Sequence, residues 1–129
     1  MYRRHPEFNA IVNADPVNAT AFSVTDAVLD SRTIPESSIF LRDVARIPFG
    51  VQFTEPETLA ASVSPRAPIA LQSNDGVLVC GTTILDAFDR LEVLESTAEA
   101  IINAASLGPV TPMPKAVIEE LRRAFLGDC

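Results

Sequence analysis

Ala10-Ile11-Val12 is a short apolar run of branched residues that gives way to Asn13-Ala14-Asp15-Pro16. An apolar run bounded by turn residues predicts a buried strand. Pro16 then opens a helix at its first position, with Asp15 as the N-cap. Val17, Ala21 and Val24 follow at i, i+4 and i+7, which predicts that this face of a short helix meets the core. Residues 26–38 are polar and turn-rich and predict a loop around Pro35. Residues 38–43 predict a short helix, and Val44 to Phe49 alternates like a strand that Pro48 ends or places at an edge. Thr54-Glu55-Pro56-Glu57 is a helix start, with proline in the first turn and an acid near the positive dipole end. That helix runs through Leu59, Ala60 and Val63 to Ser64-Pro65. Two strands follow, Ile69 to Gln72 and Val77 to Gly81. The Ser73-Asn74-Asp75-Gly76 link between them has the Asn/Asp-Gly chemistry of a tight hairpin.

Residues 83–107 carry the longest periodic segment. Ile84, Phe88, Leu91, Leu94 or Glu95, Ala98, Ile101 or Ile102, and Ala105 recur every three or four positions, and Gly108-Pro109 stops the helix. Its opposite face bears Asp86, Asp89, Glu92, Glu95 and Glu99 against Arg90 alone, which reads as a solvated face rather than a binding surface. A last helix spans Pro114 to Phe125, with Val117, Leu121 and Phe125 on one side. Strands interleaved with helices and a hairpin predict an α/β fold, a mixed, largely antiparallel sheet covered by helices.

Composition narrows the function classes. A chain of 129 residues has room for one domain, and no linker or internal repeat divides it. The balance of 17 acidic against 10 basic residues, net −7, argues against nucleic-acid and anionic-membrane partners. No apolar run approaches the ~20 residues of a membrane span. Met1 to Pro6 holds two arginines with no apolar stretch behind them, so it does not read as a signal peptide. Cys80 and Cys129 make no metal pair and predict no disulfide, which suits a reducing cytoplasm.

The usual catalytic constellations are thin. One histidine, His5, allows no histidine zinc cage, and near the terminus it reads as an exposed surface residue rather than a triad base. No phosphate loop or Rossmann glycine pattern is present. Two spots stand out. Asn13 and Asp15 lie two apart at a strand end and so project to one face. Asp75 sits in the hairpin turn. Their three side chains have two readings: capping and turn formation, or oxygen donors to a hard cation, which usually wants more oxygens.

At these residues the sequence resembles the C-terminal part of the class II aldolase/adducin family, sugar-phosphate aldolases and their relatives. The family segment Tyr-Arg-x-x-Pro-x-x-x-Ala-Val-Val-His-x-His-Pro has the frame of Tyr2 to Pro16 here. The family hairpin Asn-His-Gly-Val-x-Val-x-Gly matches Asn74 to Gly81. The Ala-Phe-Asp-Arg-Leu-Glu core of the long helix matches Ala87 to Glu92, and closing features match around Pro112 to Leu121. Three motifs in order, over essentially the whole chain, carry the resemblance.

What the resemblance implies is specific. The fold is expected to be α/β/α layers, with residues 1–129 as the C-terminal portion of the family's full domain. The implied activity is retro-aldol cleavage of a sugar phosphate, in which a zinc-type metal acts as Lewis acid on the enediolate. The family's three metal histidines fall at Asn13, Asp15 and Asp75, so the implied metal positions keep oxygen donors that suit Mg²⁺, Mn²⁺ or Ca²⁺ rather than zinc. No residue matches the family's acid–base glutamate or its phosphate loop, which leaves the catalytic residues unknown. The missing half implies an unpaired sheet edge, and so a homo-oligomer or a complex with an upstream half-domain. The adducin branch implies an alternative: a catalytically inert assembly module.

Overall fold

Residues 1–126 are described in a computed structural model of the chain. In chain order the elements are β1 (Ala10–Ala14), α1 (Val17–Ser23), α2 (Pro35–Leu41), β2 (Val44–Ile47), α3 (Val51–Thr54), α4 (Pro56–Ser62), β3 (Ile69–Gln72), β4 (Gly76–Gly81), α5 (Ile84–Ala104) and α6 (Lys115–Leu126). The strands form one sheet in the order β1-β4-β3-β2. The β1–β4 and β3–β4 pairs are antiparallel and β2–β3 is parallel, so the sheet is mixed and largely antiparallel.

Strand alternation divides the core. Ile69, Leu71, Val77 and Val79 pack with Ala19, Phe22, Leu41, Ala87, Leu94 and Ala98 from α1, α2 and α5. Ala70, Leu78 and Cys80 turn to the other face, against Phe8, Val51, Leu59 and Val63. Every residue of β3 and β4 is buried, as expected of strands covered on both faces. The result is the layered α/β/α arrangement, with α6 laid against α2.

Several elements differ from the sequence reading, each for a physical reason. The second helix begins at Pro35 rather than Ser38, because proline at N1 supplies its fixed φ where no N–H bond is needed. The four-residue helix α3 is too short to leave a periodic trace. In α1, Val17 and Val24 are 81% and 56% exposed, while Ala19, Phe22 and Ser23 face inward. The larger apolar area of Phe22 sets the buried face.

Asp15 is not the cap of α1. Pro16 holds the N-cap position with no side-chain bond. The free amides are taken by Glu95 of α5, whose carboxylate accepts from Ala19 N at 2.8 Å, Asn18 N at 3.0 Å and Asn18 Nδ2 at 2.9 Å. Glu95 therefore leaves the solvated acidic face and closes a neighbouring helix terminus. The inward stripe of α5 is Ala87, Arg90, Leu94, Thr97 and Ala98, whereas Ile84 and Phe88 are exposed. Arg90 is buried because its guanidinium satisfies two carbonyls, Phe40 O at 2.7 Å and Cys80 O at 2.6 Å.

On α6 the buried residue is Ile118; Val117 and Phe125 are exposed and Leu121 is half-buried. His5 is not an exposed surface residue. Its side chain is 12% exposed, and Nε2–H donates to Ala60 O at 2.7 Å. Cys80 is buried and unpaired; Cys129 lies outside the described residues.

Candidate functional site

One end of the sheet, on the face covered by α3 and α4, opens into a cleft of about 460 Å³. Its polar lining is Asn13, Asp15, Gln52, Gln72 and Asp75, and Phe53, Leu59 and Leu78 supply apolar wall. The register explains the convergence. Asn13 pairs with Leu78 and has the parity of Ile11, so it faces α3 and α4. Asp15 follows two residues later, beyond the end of β1. Gln72 closes β3 with the parity of Ala70, on the same face. The hairpin then brings Asp75 to the same end, although sixty residues separate it from Asp15.

Local conformation holds the turn. Asn74 takes a left-handed φ of 57°, and its N–H donates to Ser23 O at 2.8 Å. Asp75 N donates to Gln72 O at 3.0 Å. Gly76 has φ 154°, and a Cβ there would lie 2.4 Å from Asp15 Oδ1 and 2.5 Å from Ala14 O. Only glycine lets Asp15 rest against this backbone.

Two site residues were not singled out from the sequence. Gln52, on α3 after Gly50 (φ 84°), donates from Nε2 to Asp75 Oδ2. Its Oε1 is buried with no hydrogen-bond partner among the described residues. Gln72 is 5% exposed, and its side-chain amide has no partner among the described residues either. The available signals were Gly50 as a turn marker and a polar residue at the inward position of the otherwise apolar Ile69-Ala70-Leu71-Gln72 strand.

The cleft carries two carboxylates and no lysine or arginine in its lining. A phosphate dianion is therefore disfavoured inside it. A second cavity of about 360 Å³ lies between α2, β2 and α6, lined in part by Arg32, Arg42, Arg66 and Arg122, and contains none of Asn13, Asp15 or Asp75. There Arg32 bonds Asp30 at 2.8 Å and holds its carboxyl below the usual range. On the α3/α4 face, burial pushes the Cys80 thiol up to about 11, with the nearby Arg90 charge opposing in part.

The donor set does not fit zinc. Zinc sites are built from histidine and cysteine, and here amide and carboxylate oxygens stand instead. Among the described residues no three His, Cys, Asp or Glu side chains are grouped to hold a metal ion. One oxygen of Asp75 is also turned to an amide N–H.

Comparisons with known proteins agree with this fold. Over 100 residues the chain is 33% identical to an L-fuculose phosphate aldolase of Methanococcus vannielii, covering 77% of this chain and 54% of the relative. It is 32% identical over 105 residues to a 3-oxo-tetronate 4-phosphate decarboxylase of Haemophilus influenzae, covering 77% and 50%. The chain thus spans about half the length of the curated relatives it matches. A solved structure of a putative aldolase/epimerase/decarboxylase from Escherichia coli superposes with a TM-score of 0.83 over 94% of this chain and 60% of that one. At 24% identity it shows the shared fold. The family described as the Class II Aldolase and Adducin N-terminal domain matches residues 1–102, and with the hairpin, the long helix and the layered sheet all in place, this chain belongs to that family.

Proposed function

We propose that the chain is a class II aldolase-type unit that binds a sugar phosphate, with the hydroxyl-bearing carbons in the cleft of Asn13, Asp15 and Asp75. The observation that carries this reading is the convergence of those three side chains on one cleft at the sheet end. Carboxylate and amide oxygens are matched to sugar hydroxyls. The phosphate lies outside the cleft on this reading, which is supported by a lining with two carboxylates and, among the described residues, no Lys or Arg.

Cleavage on this reading is a retro-aldol reaction: a hydroxyl loses its proton, a carbon–carbon bond breaks and the electron pair passes into an enediolate. The proton acceptor comes from outside the residues matched here, either from an upstream half-domain or from a second copy. Calorimetric titration with L-fuculose 1-phosphate, the compound in the name of a structural neighbour, tests the binding. Asp15→Ala and Asp75→Ala should each weaken it about tenfold, as the loss of a charge-assisted hydrogen bond does. Unchanged affinity in both variants contradicts the reading.

A second reading is an inert assembly module. It is favoured by the Gln52–Asp75 contact, which engages one of the oxygens a metal would use. Saturable binding of the sugar phosphate counts against this alternative.

A further inference from the structure

We propose that Gln52 and Gln72 make the cleft a cation-independent site for the vicinal hydroxyls of an open-chain polyhydroxylated ligand. The inference rests on the proposed function and says how the ligand is held. Gln52 Nε2 donates to Asp75, which fixes the amide's orientation and leaves Oε1 as a buried acceptor with no partner among the described residues. Gln72 lines the same cleft, is 5% exposed, and has an amide with no partner among the described residues. A buried acceptor left unpaired is costly, so Gln52 Oε1, beside the Gln72 amide in the same lining, marks a place where a ligand or water completes the bonding. Asn13 adds a further amide to the lining.

The chemistry of that lining selects the ligand. Each amide offers two N–H donors beside one acceptor oxygen, and a hydroxyl both gives and takes a hydrogen bond. A divalent cation uses only the oxygens and gains nothing from the N–H groups. A run of hydroxyls on neighbouring carbons uses both. The carboxylates of Asp15 and Asp75 then accept from hydroxyls.

The test uses the full chain and two probes, L-fuculose 1-phosphate and L-fucitol. Each is titrated in excess EDTA and in excess Mg²⁺, and affinity is read by calorimetry and by the side-chain amide resonances. The expected result is the same affinity in both buffers, with Gln72→Leu weakening binding about tenfold through lost hydrogen bonds. The same variant should melt at an equal or higher temperature without ligand, because it puts an apolar side chain at a position only 5% exposed. Gln72→Met serves if the leucine variant does not fold. Binding that requires Mg²⁺ overturns the inference and leaves the proposed function standing. A lower melting temperature with unchanged affinity marks Gln72 as structural and also overturns it. Lack of binding in either buffer overturns both.

Discussion

Glu95 illustrates how a single side chain departs from its linear context. In sequence it belongs to a row of acids along one helix; in space it accepts three N–H groups, two of them backbone amides at the start of α1. Capping of this kind contributes ~1–2 kcal/mol. Glu95→Ala should lower stability by about that amount in urea denaturation, whereas Glu99→Ala, on the exposed part of α5, should change it by less than about 0.5 kcal/mol. Equal effects would contradict the capping role. Gly76 is the complementary case, where an absent side chain matters. Gly76→Ala should cost about 2 kcal/mol from its strained φ and displace Asp15. Ligand affinity should fall with it, and a variant of wild-type affinity would contradict the tight Asp15–Gly76 packing. The hairpin was legible because Asn74, Asp75 and Gly76 carry local turn chemistry. Glu95 was not, because its partners lie 76 and 77 residues away.

At the scale of elements, β4 and α5 are tied by a buried cation. Arg90 joins the carbonyls of Phe40 and Cys80, linking α2, β4 and α5. Arg90→Met leaves both acceptors without that donor and should cost about 2–4 kcal/mol in chemical denaturation. A loss under about 1 kcal/mol would mean water replaces the guanidinium freely. Beside it, Cys80 makes stability depend on alkaline pH. Burial raises its folded pKa to about 11, above the ordinary thiol value of 9.0, so between those values the unfolded chain releases the thiol proton first. Stability should therefore fall as pH rises from about 9 to about 11, by on the order of 2–3 kcal/mol. Cys80→Ala in a Cys129→Ser background should flatten that fall, and an unchanged slope would contradict the burial argument. Strands and the long helix were readable from apolar runs and period. The inward face of α1 was not, and that of α5 only in part: Leu91, Leu94, Ala98 and Ile101 lie on the core side as their spacing predicts, whereas Phe22 and Arg90 are placed by partners on other elements. The short α3, and with it Gln52, lacks the length for any periodicity.

For the whole molecule, the outstanding feature is unmatched surface. Among the described residues β1 pairs only with β4 and β2 only with β3. Ile84, Leu85 and Phe88 near the start of α5 are 67%, 65% and 49% exposed, and Phe49 and Phe53 are 70% and 78% exposed. Open edges and apolar patches drive association at roughly 25 cal/mol per Å² buried. Light scattering at micromolar concentration should give a mass above the 13.9 kDa of one chain. A stable monomer with a cooperative melt would contradict that expectation. No helix among the described residues is long and apolar enough to cross a membrane. The layered sheet and the meeting of Asn13, Asp15 and Asp75 follow from motifs present in the sequence. The two glutamines that complete the cleft become visible only when α3 and β3 are set beside the hairpin.

Backbone amide shifts during titration of the full chain with L-fuculose 1-phosphate report where the ligand binds. Saturable shifts are expected at Asn13 to Asp15, Gln52, and Gln72 to Gly76, the residues that line the cleft and its hairpin. Shifts confined to the arginine-lined cavity around Arg42, Arg66 and Arg122, or saturating ligand with no shift at the sheet end, would contradict that location.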